Sequence, residues 1–124
     1  MINKSILEHK HHAHITEEEI YDSYKIFFST LVSESRLKII NLLRKGRKNV
    51  SEIMNELKMD QTAVSHDLAR LKRCGFVLVE IDGKFRYYKL NAETIKPIME
   101  TIDRHMFNYC IHILREMKGG RNKK

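Results

Sequence analysis

Proline is almost missing from this 124-residue chain, which has one, Pro97, and only five glycines. A chain so poor in helix breakers fits one domain built mainly from helices. Cysteine is scarce too. Cys74 and Cys110 lie far apart in sequence and are expected as free thiols of a reducing compartment, not a disulfide. No apolar run approaches membrane-spanning length. Met1 to Leu7 is too short for a signal peptide and runs into a polar, His-rich stretch, so a cytoplasmic location is expected. There is no Gly-rich phosphate loop and no His-Glu zinc motif. Ser65-His66-Asp67 has the residue types of a triad, but neighbours on a helix point in different directions and cannot form one. An enzyme is therefore not expected.

What the chain does have is positive charge. The formal net charge is +7 and the sequence pI about 9.5. Such a domain suits an anionic partner, a nucleic acid or a membrane surface. Part of the charge is tail, since Arg121, Lys123 and Lys124 follow Gly119-Gly120.

Residues 1–15 read as a flexible arm carrying His9, His11, His12 and His14; residues 16–118 read as the domain and 119–124 as a basic tail. Thr16-Glu17-Glu18-Glu19 is a capping box, and Ile20, Tyr24, Phe27, Phe28 and Leu31 recur at helical spacing to about Thr30. Ser33 or Ser35 can cap a second helix, which buries Leu37 and Ile40 and stops at Gly46. A short third helix covers Ser51 to Leu57. After the break Lys58-Met59-Asp60, a fourth helix capped by Asp60 runs to about Arg73 and stops at Gly75. Two short helices joined so tightly make a helix-turn-helix.

The period then changes to two over Val77, Val79 and Ile81. Asp82-Gly83 is expected as the hairpin turn, and Phe85 to Leu90 returns as the second strand. Asn91 can cap a long last helix, with an apolar stripe from Ile95 through Met106 and Ile113 to Met117. Pro97 sits in its first turn or kinks it. The expected fold is mainly α with a small β-hairpin wing: a winged helix-turn-helix. The stripe and the first-helix aromatics are too extensive for so small a domain to cover, which points to a homodimer.

The fourth helix carries the candidate chemistry. At about 100° per residue, Val64, Leu68 and Leu71 fall on one side. Gln61, Thr62, Ser65, His66, Arg70 and Arg73 fall on or beside the other. Hydroxyls and imidazole can meet base edges, and arginines reach phosphate or guanine. Taken alone, this is as readily an ordinary solvated face. Lys84, Arg86 and Lys89 in the following hairpin shift the reading toward a groove-contacting wing and double-stranded DNA. The competing class is a winged-helix module for protein or RNA; Arg70 and Arg73 on the face weigh against it.

Four stretches resemble the ArsR/SmtB family of regulators: Ser35-Arg36-Leu37-Lys38-Ile39-Ile40-Asn41-Leu42-Leu43, then Gln61 to Leu71 with Ser65-His66, then Gly75-Phe76-Val77, then Gly83 to Leu90. The resemblance implies a dimer through the first and last helices. It also implies repression of a promoter, relieved by a metal ion or another chemical signal.

Family members of the metal-sensing kind carry an Asp-x-His pair at the start of the last helix and a second pair about three turns on. Asp103-Arg104-His105 is a tempting match. Anchored on Tyr88-Lys89-Leu90, however, the first pair falls on Ala92 and Thr94 and the second on His105 and Asn108. One ligand cannot build a four-coordinate site. The family's third-helix cysteine site is absent, and a dithiol partner for Cys110 would stand where Asn41 is. Cys74 reads as a small packing residue. Two histidine groups remain as candidates for zinc, nickel or copper. His105 and His112, seven residues apart on one helix face, could meet across a dimer, or simply be surface histidines. The arm histidines could chelate, or be part of an expression tag.

Overall fold

The structure is a computed structural model that describes residues 14–122, with side chains through Gly119. His9, His11, His12 and most of the expected arm lie outside the described residues, as does the end of the expected tail.

Helix α1 spans Glu17–Val32 and begins with the expected capping box: Glu19 N–H donates to Thr16 Oγ1 at 3.1 Å and Thr16 N–H to Glu19 Oε1 at 3.0 Å. Helix α2, Glu34–Leu43, is capped by Ser33 and not Ser35, because Ser33 Oγ takes the Arg36 amide. It ends three residues before Gly46. Helix α3, Val50–Leu57, has a second capping box, Asn49 with Glu52, both bonds at 2.9 Å. Lys58 then turns the chain in the left-handed region at φ 56°, and Asp60 caps helix α4, Gln61–Arg73, by accepting the Ala63 amide at 2.7 Å.

The end of α4 fixes where the wing begins. The Phe76 amide donates to Leu71 O at 2.8 Å and the Gly75 amide to Lys72 O at 3.1 Å, with Gly75 at φ 78°. That pair of bonds is a Schellman closure, and Leu71 and Phe76 meet beneath it in the core. Strands β1, Val77–Asp82, and β2, Phe85–Leu90, pair antiparallel with Val77 opposite Leu90 and Asp82 opposite Phe85. The two-residue loop is therefore Gly83-Lys84, one position beyond the expected Asp82-Gly83. Gly83 at φ 64° occupies the first central position, where a type II′ turn takes glycine. Lys48, just before α3, adds a bridge to Tyr88 through two backbone bonds of 3.0 and 2.8 Å, so the wing root is stitched to the helical body.

Helix α5 spans Ile95–His105. Asn91 stops short of capping it. Its side-chain oxygen takes the Glu93 and Thr94 amides, and its nitrogen donates to Gly75 O at 3.0 Å. Pro97 lies in the first turn, where its missing N–H costs nothing. The irregularity lies further on. Met106–Cys110 forms one π-helical turn before helix α6, Ile111–Asn122. Helix α6 runs through Gly119, where the basic tail was expected to begin.

The core is made where α2, α3, α4, β1 and α5 converge: Ile39, Ile40, Ile53, Val64, Leu68, Leu71, Phe76, Val77 and Met99 are all buried. Phe27 of α1 stacks on Phe76 at 5.1 Å between centroids. Each such large apolar side chain contributes about 1.5–3 kcal/mol on burial. The wing and α4 are thus held at a fixed angle by shared contacts, which is what a two-part reading surface requires.

Candidate nucleic-acid interface

Val64, Leu68 and Leu71 anchor α4 from below, and the opposite face stands open. Gln61, Thr62, Ser65, His66, Ala69 and Arg73 are all exposed. Asp60 caps the exposed N-terminal end of this helix, so its first turn presents ordered backbone and short polar side chains outward. Hydroxyl, amide and imidazole groups there can donate and accept, which base edges in a major groove demand.

Two cations flank this face symmetrically. Arg70 lies eight residues beyond Thr62, or about 80° around the helix, and Lys72 about 80° the other way. Their surroundings differ. Lys72 is exposed and borders an open groove of about 440 Å³ between α4 and the wing, lined also by Ser65, Leu68, Ala69, Arg73, Arg86 and Tyr88. Arg70 turns away from the reading face. Its Nε donates to Thr30 Oγ1 and its Nη2 to Ser29 Oγ, both at 3.0 Å, which ties it to the end of α1. Arg70 was expected among the contacting residues, whereas Lys72 was not singled out. The same angular count places both at the edges of the face, and only the position of α1 distinguishes them.

The wing is built with two unlike faces. Val77, Val79 and Ile81 share a face with Leu90, Tyr88 and Arg86, because cross-strand partners project together. This face turns toward the groove. Arg86 is held there by a 3.1 Å bond from its Nε to the Tyr88 hydroxyl, with the guanidinium 5.6 Å from the ring centroid. The other face carries the acids Glu80 and Asp82. Arg47 spans both, at 3.0 and 2.8 Å, and lies 4.1 Å over the Tyr87 ring. The Arg47 guanidinium is held above its ordinary range, chiefly by the hydrogen bond to Asp82. Lys89, expected as a wing cation, faces Glu80 at 3.7 Å. With its acids paired on the far side, the wing offers Lys84 at its tip and Arg86 on the groove side. Neither Arg47 nor its acidic partners was read from the sequence, because their pairing spans 33 to 35 positions.

Among the described residues the histidines do not assemble. His14, His105 and His112 are exposed, and His105 lies 4.8 Å from the Tyr109 ring. The π turn between His105 and His112 takes up an extra residue, so the two no longer share the face that seven-residue spacing gives in a regular helix. Asp103 is engaged by Arg44 at 2.8 Å. Among the described residues no group of three or more His, Cys, Asp or Glu side chains comes together. Cys74 is half-buried with Sγ 3.4 Å from Thr30 Oγ1, and Cys110 is exposed. No described helix is long and apolar enough to cross a membrane.

A tight helix-turn-helix, an open polar face on its second helix, and a cation-bearing hairpin beside that face define a winged helix-turn-helix DNA-binding domain. Residues 33–78 match the profile of the bacterial regulatory proteins of the arsR family. An HTH-type transcriptional regulator of Methanocaldococcus jannaschii is 31% identical over 86 residues, covering 68% of this chain and 97% of that protein. The transcriptional activator HlyU of Vibrio cholerae is 28% identical over 79 residues, covering 64% of this chain and 73% of that one. Its reduced form superposes with a TM-score of 0.61 over 75% of this chain and 95% of that chain. The solution structure of a homodimeric winged helix-turn-helix domain from Mycobacterium bovis shares the fold, with a TM-score of 0.70 at 23% identity, covering 78% and 92% of the two chains. The chain belongs to the arsR family. It is a DNA-binding transcription regulator and not an enzyme.

Proposed function

We propose that a cytoplasmic homodimer of this chain binds an inverted repeat in duplex DNA and represses the adjoining promoter until a chemical signal releases it. The open α4 face beside the wing groove carries this reading. Thr62, Ser65 and His66, with Gln61 at the helix start, read base edges in the major groove. Arg73, Lys72, Lys84 and Arg86 neutralise phosphates on either side. Dimerisation is supported by the apolar side chains left open on α1, the π turn and α6, and by the homodimeric state of the Mycobacterium bovis neighbour.

Selection of bound duplexes from a random pool tests the reading. The expected product is an inverted repeat with half-sites about one helical turn apart. Affinity should fall steeply with salt. Replacing Ser65 or His66 should relax sequence preference, while replacing Lys84 or Arg86 should weaken binding to all sequences. Enrichment of no sequence, or stronger retention on single strands, overturns it. A reporter behind the selected site reads the sign: repression lowers output, and activation, the sign in the name of the Vibrio cholerae relative, raises it.

A further inference from the structure

One edge of α4 carries a polar cluster that DNA reading does not use. Asp67 is buried. Its Oδ1 receives Arg36 Nη1 at 3.3 Å, and its Oδ2 receives the Ser35 hydroxyl. Arg36 spends its other donors on the end of α1: Nε on Thr30 O at 2.8 Å and Nη2 on Ser29 O at 3.2 Å. Arg70, three residues after Asp67 on the same edge, returns to Thr30 Oγ1 and Ser29 Oγ. Thr30 itself is fully buried and donates to Ile26 O at 2.8 Å. Four hydrogen bonds, two from Arg36 of α2 and two from Arg70 of α4, thus converge on the last turn of one helix.

We propose that Arg36, Asp67 and Arg70 are positioning residues that lock the rotation of α4 to α1, and that sequence discrimination, not general DNA affinity, depends on them. The inference rests on the DNA-reading role proposed above. Apolar contacts beneath α4 hold it in place but are non-directional. Hydrogen bonds are directional and fix an angle. Side-chain tips lie about 5–6 Å from a helix axis. A turn of about 10° therefore moves Ser65 and His66 by about 1 Å, enough to take a base-edge bond out of its roughly 2.7–3.2 Å range. Phosphate contacts from flexible lysines and arginines tolerate such a shift. Because α1 also carries Tyr24, Phe28 and Val32 exposed on its outer side, the lock ties the orientation of the reading helix to the surface expected to meet a second copy.

The test measures affinity of the full chain for its selected site and for a random duplex, each across a salt series, together with thermal melting. The variants are R70M, R36K and the paired apolar replacement R36M/D67L. A buried ion pair replaced by apolar residues of similar size often keeps stability. The expected result is a drop of at least about tenfold in the ratio of specific to random affinity, comparable to losing one base contact. The slope of log affinity against log salt stays unchanged. R36K keeps the charge but not the three-way fork and should not rescue. If the double variant does not fold, R70M and R36K carry the test alone. A salt slope reduced by about one in R70M, with both duplexes weakened equally, makes Arg70 a phosphate contact and overturns the inference. So does an unchanged ratio in R70M and R36K. A wild-type chain that discriminates no sequence overturns the DNA-reading proposal and this inference with it.

Discussion

The helix-turn-helix with its wing and the outer pair of helices carry the same sequence signal with opposite outcomes. In α2 through α4, apolar periodicity ends in burial, with Ile39, Ile53, Val64 and Leu71 fully enclosed, while Leu78, Ile81 and Phe85 of the wing stay exposed. In α1 and from the π turn onward, periodicity just as clear leaves Phe28, Phe107, Tyr109, Ile113 and Met117 open, Phe107 at 73% exposure. A stripe in a sequence states that a face needs covering; it does not state by which chain. The inner region finds its cover within one copy, whereas the outer region lies beyond the reach of that core.

Leu71→Ala should have the largest effect and should fall on the inner region. Deleting a fully enclosed leucine costs about 2–5 kcal/mol. Denaturant unfolding should show that loss at any protein concentration. A loss below about 0.5 kcal/mol, the ordinary surface value, would break the contrast from the inner side. Phe107→Glu should do the reverse. The isolated fold keeps its helix content, but sedimentation should show monomers, and operator binding should weaken by about two orders of magnitude or more as two-site engagement is lost. Dimers of unchanged affinity would show that the outer face is merely solvated.

The smallest expected effect is on the stitch at the wing root. Lys48 pairs with Glu56 at 2.9 Å, and this hydrogen bond, foremost, raises the ammonium above its ordinary 10.5. A group whose value is raised by folding stabilises fully below its unfolded value and loses that contribution as pH rises through the folded one. The melting temperature difference between wild type and Lys48→Met should therefore persist through neutral pH and shrink only in strongly alkaline solution. A difference that disappears near neutrality would assign the role to the backbone bridge with Tyr88 alone.

The elements of the reading domain were legible because their signals are local. Thr16 with Glu19, Asp60 before α4, and Gly75 after it are caps readable within a few residues. Asn49 with Glu52 was equally readable and went unread, and the expected start at Ser51 lies one residue inside α3. The hairpin was legible and its loop was not placed correctly, because Asp82-Gly83 and Gly83-Lys84 both put glycine at a permitted position, and only the pairing of Asp82 with Phe85 decides. The intramolecular partners of Arg70, Arg47 and Asp67 were not legible for a different reason. They lie about 30 to 40 positions away, and a cation read on a helical wheel looks the same whether it faces phosphate or another helix. The π turn left no mark in the stripe, since Met106, Tyr109 and Ile113 keep three- and four-residue steps across it.

That turn also gives the last helical stretch two counting frames. Residues before Met106 and residues after Cys110 follow the same helix but are offset by one position. Losing a single codon within Met106–Cys110 would restore one continuous frame and leave everything beyond it at the same angle, because the turn already absorbs that residue. Ile113, Leu114 and Met117 would then keep their directions, as would the core and the reading helix. The turn is thus a place where one residue can be lost in evolution without re-aiming the surface beyond it.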